Sequence, residues 1–142
     1  MRPHSSFKIL TELLEQRILV LDGAMGTMIQ DKKLSESDFR GERFKNHESD
    51  LSGNNDLLTL TKPHIISKIY FSYLNAGCDI VETNTFNSTG SSQSDYGLSE
   101  ITYELNLEAA KLARSACDEI YNNDPQRPRF VAGVLGPTSK TA

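Results

Sequence analysis

The sequence predicts an α/β fold in which parallel strands are joined by crossover helices, and three observations carry that prediction. Apolar runs end in turn residues at Ile18–Asp22, Asp79–Thr83 and Arg129–Leu135. Two segments with helical apolar spacing separate these runs. Parallel strands require such crossovers, because a tight turn can join only antiparallel neighbours. A polar, Gly- or Asn-bearing segment follows each run, so the loops gather at one edge of the sheet. Such an order opens either a doubly wound sheet or a (β/α)8 barrel.

Residues 6–16 place Ile9, Leu10, Leu13 and Leu14 at helical spacing, with Ser5 or Ser6 as the expected N-cap. This amphipathic helix is expected to plug or flank the bottom of the fold, as a helical extension over 1–17 ahead of the strand-bearing part, 18–142. Ile18–Asp22 follows, a continuous apolar run that reads as a strand buried on both faces. Asp22 then stands at its C-terminal end, where ligands bind in such folds. Gly23 and Gly26 allow a tight turn whose main-chain N–H groups approach a ligand. One carboxylate beside bare amides suits a zwitterion, with the ammonium on Asp22. A plain turn is the competing reading, since Asp bonds local backbone in turns. The GAMG spacing is not the dinucleotide fingerprint.

Residues 28–60 are long, polar and charged. Loops beyond ~12–15 residues are usually functional or carry small helices, and Ser35–Asp38 before Phe39 looks like one helix start. Arg40 and Arg43 are read as members of an ion-pair network with Glu36, Asp38 and Glu42. Thr61 as cap and Pro63 in the first turn predict a helix that Gly77 ends. Ile65, Ile66, Ile69, Tyr70, Tyr73 and Leu74 form its apolar face. In the second strand, alternation places Val81, Thr83 and Thr85 on one face and Ile80, Glu82 and Asn84 on the other. Thr83 and Asn84 reach the same edge as Asp22 if the two strands run parallel. A long helix over about 98–122 buries Leu98, Ile101, Leu105, Ala109, Leu112, Ala116 and Ile120. Gly136-Pro137-Thr138 closes the third strand, and Lys140 stands too far from Gly136 for a phosphate-binding P-loop.

The chain has 142 residues, 37% of them hydrophobic and 24% charged, enough for one core-bearing domain. A net charge of −4 gives no electrostatic footprint for nucleic acid or an anionic membrane. No apolar stretch reaches the ~18 residues of a membrane span and no apolar signal region opens the chain, so the cytoplasm is the expected location. Cys78 and Cys117 read as small buried residues, and His4, His47 and His64 lack metal-ligand spacing.

Five separated stretches, DGAMGTMIQ (22–30), DFRGERF (38–44), GNNDLL (53–58), ETNTFNST (82–89) and AGVLGPT (132–138), resemble the N-terminal homocysteine-binding module of the cobalamin-dependent methionine synthase family. The resemblance runs from about Arg17 to Ala142. The wider homocysteine S-methyltransferase group shares the D-G-x-x-G theme, while FRGERF and GNNDLL favour the cobalamin branch. The resemblance implies the N-terminal part, about three βα units, of a (β/α)8 TIM barrel. An intact barrel takes ~250 residues, so the chain supplies only part of one.

The resemblance also implies the chemistry of the parent. Zinc held by three cysteine thiolates binds homocysteine sulfur, and the methyl group comes from cobalamin recharged by methyltetrahydrofolate. An S-adenosylmethionine-dependent module reactivates oxidised cobalamin. Carried over residue by residue, Asp22 holds the substrate amino group, Gly23, Ala24 and Met25 face the amino-acid end, and Thr83 and Phe86 line the pocket. The zinc cysteines belong to later strands, so no catalytic or metal-binding residue is assigned here. The expected partners are homocysteine, the remaining barrel strands and the cobalamin and folate modules. Three readings stay open: a piece of a methionine synthase, a free-standing amino-acid-binding protein, and one subunit of a split barrel. Open strand edges predict self-association of the isolated chain.

Overall fold

A computed structural model describes residues 3–137. Helix α1 spans Pro3–Gln16. Proline opens it, in the helix position that tolerates a missing N–H, so Ser5 and Ser6 lie inside the helix rather than at its cap. Of its apolar residues Phe7 is 72% exposed and Leu14 58%, while Ile9, Leu10 and Leu13 are half-buried.

The first run pairs with β1, Ile80–Glu82, in parallel through a single bridge between Leu21 and Ile80. The Val20 carbonyl accepts the Asp79 N–H at 2.8 Å, and Asp22 N–H donates to the Ile80 carbonyl at 2.9 Å. Strand β2, Phe130–Ala132, pairs parallel to β1 on its other side, Ile80 opposite Phe130. The expected directions and order therefore hold, but the strands are shorter than their apolar runs. The first run is also not buried on both faces: Ile18 is 89% exposed and Val20 53%. Its pairing with β1 is limited to one isolated bridge, and Leu19 is its more covered apolar residue.

Helix α5, Pro63–Ala76, connects the first run to β1. Pro63 stands at its first position and Gly77 ends it at φ 106°, a left-handed conformation that glycine adopts without a Cβ clash. Thr61 is not its cap. Thr61 closes the short helix α4, Leu58–Thr61, and its hydroxyl bonds back to the Leu57 carbonyl. Helix α7, Thr102–Asn123, returns the chain to β2 after the short helix α6, Gly90–Ser94, and a 3-10 turn at Ser99–Ile101. Its buried face includes Leu105, Ala109, Ala116 and also Ala113 and Cys117.

The core lies between α5, α7 and the strands, and the polar segment 28–60 contributes more to it than its composition suggests. Ile29, Phe39, Phe44, Leu51, Leu57 and Leu58 are all buried, set on α2, Met25–Gln30, on α3, Glu36–Arg40, and on the turns between. Ser35 N–H donates to the Asp38 carboxylate at 2.9 Å at the start of α3. The Arg40 guanidinium gathers the segment by donating to the carbonyls of His47 and Ser49 and pairing with Glu36. Arg43 pairs with Glu104 on α7 instead. Cys78 and Cys117 are both buried. Among the described residues no helix is long and apolar enough to cross a membrane.

Candidate functional site

The C-terminal ends of the first run and β1 open into a cleft of about 510 Å³. All six residues singled out in the sequence border it: Asp22, Gly23, Ala24, Met25, Thr83 and Phe86. They play different parts there.

Asp22 reaches sideways, and both its oxygens accept the Glu82 N–H, at 3.1 and 3.2 Å. The bond is to a neighbouring strand, not to Asp22's own turn. Partial burial pushes the Asp22 carboxyl up to about 6, while the Glu82 N–H works against the rise and the nearby Glu82 charge adds to it. Gly23 passes the ring of Tyr73, and a Cβ there would come within 3.1 Å of the Tyr73 hydroxyl. That hydroxyl donates to the Ala24 carbonyl at 3.4 Å. Met25 begins α2, and Phe86 is 54% exposed at the rim.

The Thr83 side chain is occupied within the protein. Its Oγ1 accepts the Val134 N–H at 3.0 Å and bonds to Thr85 Oγ1 at 2.7 Å. Thr85 in turn donates to the Val134 carbonyl at 2.9 Å. These two hydroxyls carry the β1–β2 pairing beyond the end of its backbone ladder, so Thr83 shapes the wall while its hydroxyl stays engaged.

Sequence reasoning placed Asn84 at this edge but assigned no role to Asn55, Asp56, Glu82 or Asn87, and all five also line the cleft. Asn84 is buried, with its N–H donating to the Tyr70 hydroxyl at 3.0 Å and its Nδ2 to the Asn55 carbonyl at 2.9 Å. Burial raises the Asp56 carboxyl, opposed by the Ser88 hydroxyl and the Asn87 N–H. GNNDLL and ETNTFNST were the available signal, since both motifs contain these residues. Among the described residues the lining includes three carboxylates and no Lys, Arg or His. Such a cleft favours a ligand that brings positive charge.

The chain matches the homocysteine S-methyltransferase family profile over residues 19–142. It belongs to the homocysteine S-methyltransferase family. Its fold is similar to that of the homocysteine methyltransferase MmuM from Escherichia coli. Against the metallated form of MmuM the TM-score is 0.69 at 24% identity, covering 90% of this chain and 41% of MmuM. Against the oxidized form it is 0.70 at 26% identity, covering 90% and 40%. The chain therefore spans about two fifths of the length of these relatives. Thr138 and Lys140 lie outside the described residues.

For this homocysteine S-methyltransferase family member, the described residues do not form a zinc donor set. Among them no group of three or more His, Cys, Asp or Glu is placed to hold a metal ion. Neither cysteine lines the cleft. Burial also pushes both thiols up to about 11.

Proposed function

We propose that this chain is the amino-acid-binding part of a cobalamin-dependent methionine synthase, holding the ammonium and carboxylate end of homocysteine. The observation that carries the reading is the state of Asp22: a half-buried carboxyl at a strand exit, facing a cleft that none of the described residues supplies with a basic side chain. An incoming ammonium supplies the missing positive charge and draws the carboxyl into its ionised form. The backbone from Gly23 to Met25 lines the same cleft and presents polar main-chain groups to the substrate carboxylate.

FRGERF and GNNDLL support the cobalamin branch over other homocysteine methyltransferases. In this reading zinc, cobalamin and methyltetrahydrofolate act on residues and modules of the parent enzyme, and the present residues orient the amino acid. Asp22→Ala tests the assignment by calorimetric titration with L-homocysteine. Losing the ammonium's partner is expected to weaken binding by about a hundredfold, and unchanged affinity would remove Asp22 from the site. For the branch, the parent protein is expected to accept methyl groups from methylcobalamin and not from a sulfonium donor. The reverse preference would move it out of the cobalamin group.

A further inference from the structure

The loop bearing Phe86 is gripped from two sides, and one grip comes from a segment to which the homocysteine reading gives no task. Asp56 belongs to a 3-10 turn at Asn55–Leu57 and is 2% exposed. Its Oδ2 accepts the Asn87 N–H at 2.7 Å and the Ser88 hydroxyl at 2.8 Å. Next to it, Asn54 and Gln93 exchange a pair of buried side-chain hydrogen bonds, 2.9 and 3.2 Å long. Gln93 also donates to the Asn87 carbonyl at 3.1 Å. On the opposite side Gly136 lies so close to the Phe86 carbonyl that any Cβ at 136 would collide with it.

These contacts connect stretches some thirty residues apart in the chain (Asp56 to Asn87 is a separation of 31), so local turn preference does not explain the loop's shape. Among the described residues no Lys, Arg or His forms an ion pair with Asp56, which leaves its carboxyl to these two donors. We infer that Asp56 is a positioning residue: it fixes the Asn84–Ser88 loop, and through it Phe86, in the conformation that walls the cleft. Its consequence for ligand affinity rests on the homocysteine reading; its hold on the loop does not.

The test compares wild type, Asp56→Ala and Asp56→Asn by amide hydrogen exchange and by L-homocysteine titration of the purified protein. In Asp56→Ala the Asn87 amide should exchange roughly tenfold faster while Ala113 in α7 keeps its protection, since only the local bond is lost. Homocysteine should bind roughly tenfold more weakly in the same variant. Asparagine retains an acceptor oxygen in the same place, so Asp56→Asn should restore most of both. Unchanged Asn87 exchange in Asp56→Ala would overturn the inference. So would an Asp56→Asn variant that recovers protection but not affinity, because the charge itself would then be meeting the ligand. Should Asp56→Ala not fold, Ser88→Ala removes one donor, and a slower ligand-free loop or an unaltered one would count against the clamp. If wild type binds no homocysteine, the functional reading fails while the exchange data still decide the clamp.

Discussion

The two ends of the short sheet carry aspartates in opposite electrostatic conditions. At the N-terminal end, the Asp79 side chain is fully buried against Arg17, which donates to both oxygens at 2.8 Å. Arg127 stands 3.6 Å away, and the Val20 N–H adds a bond at 3.0 Å. The Arg17 hydrogen bond is the main force holding the Asp79 carboxyl down at about 2. At the C-terminal end Asp22 has one backbone N–H and an acidic neighbour, and burial pushes its carboxyl up to about 6. Asp79 is neutralised by its own chain and ties α1 to β1. Asp22 is left short of positive charge where a ligand can supply it. In parallel α/β folds the first pattern belongs to the stability face and the second to the functional face.

The largest expected effect breaks the stability end. Asp79→Asn leaves Arg17 and Arg127 without their shared carboxylate, and urea unfolding should show a loss of about 2 kcal/mol, moderated because water still reaches both guanidinium groups. A loss below about 1 kcal/mol, the range of an exposed pair, would mean that this end contributes little.

A smaller effect of opposite sign is expected at the other end. The folded Asp22 pKa of about 6 lies above the ordinary 3.8, so the fold favours the protonated form. That contribution is fully present below pH 3.8 and is lost as pH rises through about 6. Asp22→Asn keeps an acceptor for the Glu82 N–H and removes the charge. It should stabilise the ligand-free protein at pH 7 by about 1 kcal/mol, a value reduced because water still reaches the carboxylate. The gain should vanish near pH 4, and a gain independent of pH would contradict the assignment. Asp79 behaves in reverse: its contribution is present above 3.8 and is lost as pH falls through about 2.

The weakest expected effect concerns the outer strand surfaces, where Ile18 and Leu135 are each 89% exposed and Val20 53%. Sedimentation of the isolated chain should show association that Val20→Lys reduces, because a lysine on an open edge strand opposes pairing. A monodisperse wild-type monomer would contradict this.

Much of the frame was legible in single residues. Pro63 and Gly77 mark the ends of α5 because each enforces a backbone state few other residues adopt, and the apolar stripe of α7 follows directly from its period. The cleft was legible for a similar reason: Asp22 and Thr83 both end apolar runs, and parallel pairing brings run ends together. What escaped depends on distant partners. Ile29, Phe39, Phe44 and Leu51 stand singly among charges without a period, so nothing local marks them as core; they become core by joining one buried cluster with residues of α5 and α7. The burial expected for Ile18–Asp22 is a property of covering elements rather than of the run itself. For Asp56 the GNNDLL motif marked the stretch but not its role, since its partners at Asn87 and Ser88 lie far along the chain.

The central claim is that Asp22 awaits a cation, and its own titration tests this most directly. Side-chain carboxyl 13C NMR of Asp22 should give a pKa near 6 in the free protein, falling to about 4 or lower when L-homocysteine brings its ammonium alongside. An ordinary value near 3.8 that homocysteine leaves unmoved would contradict the account.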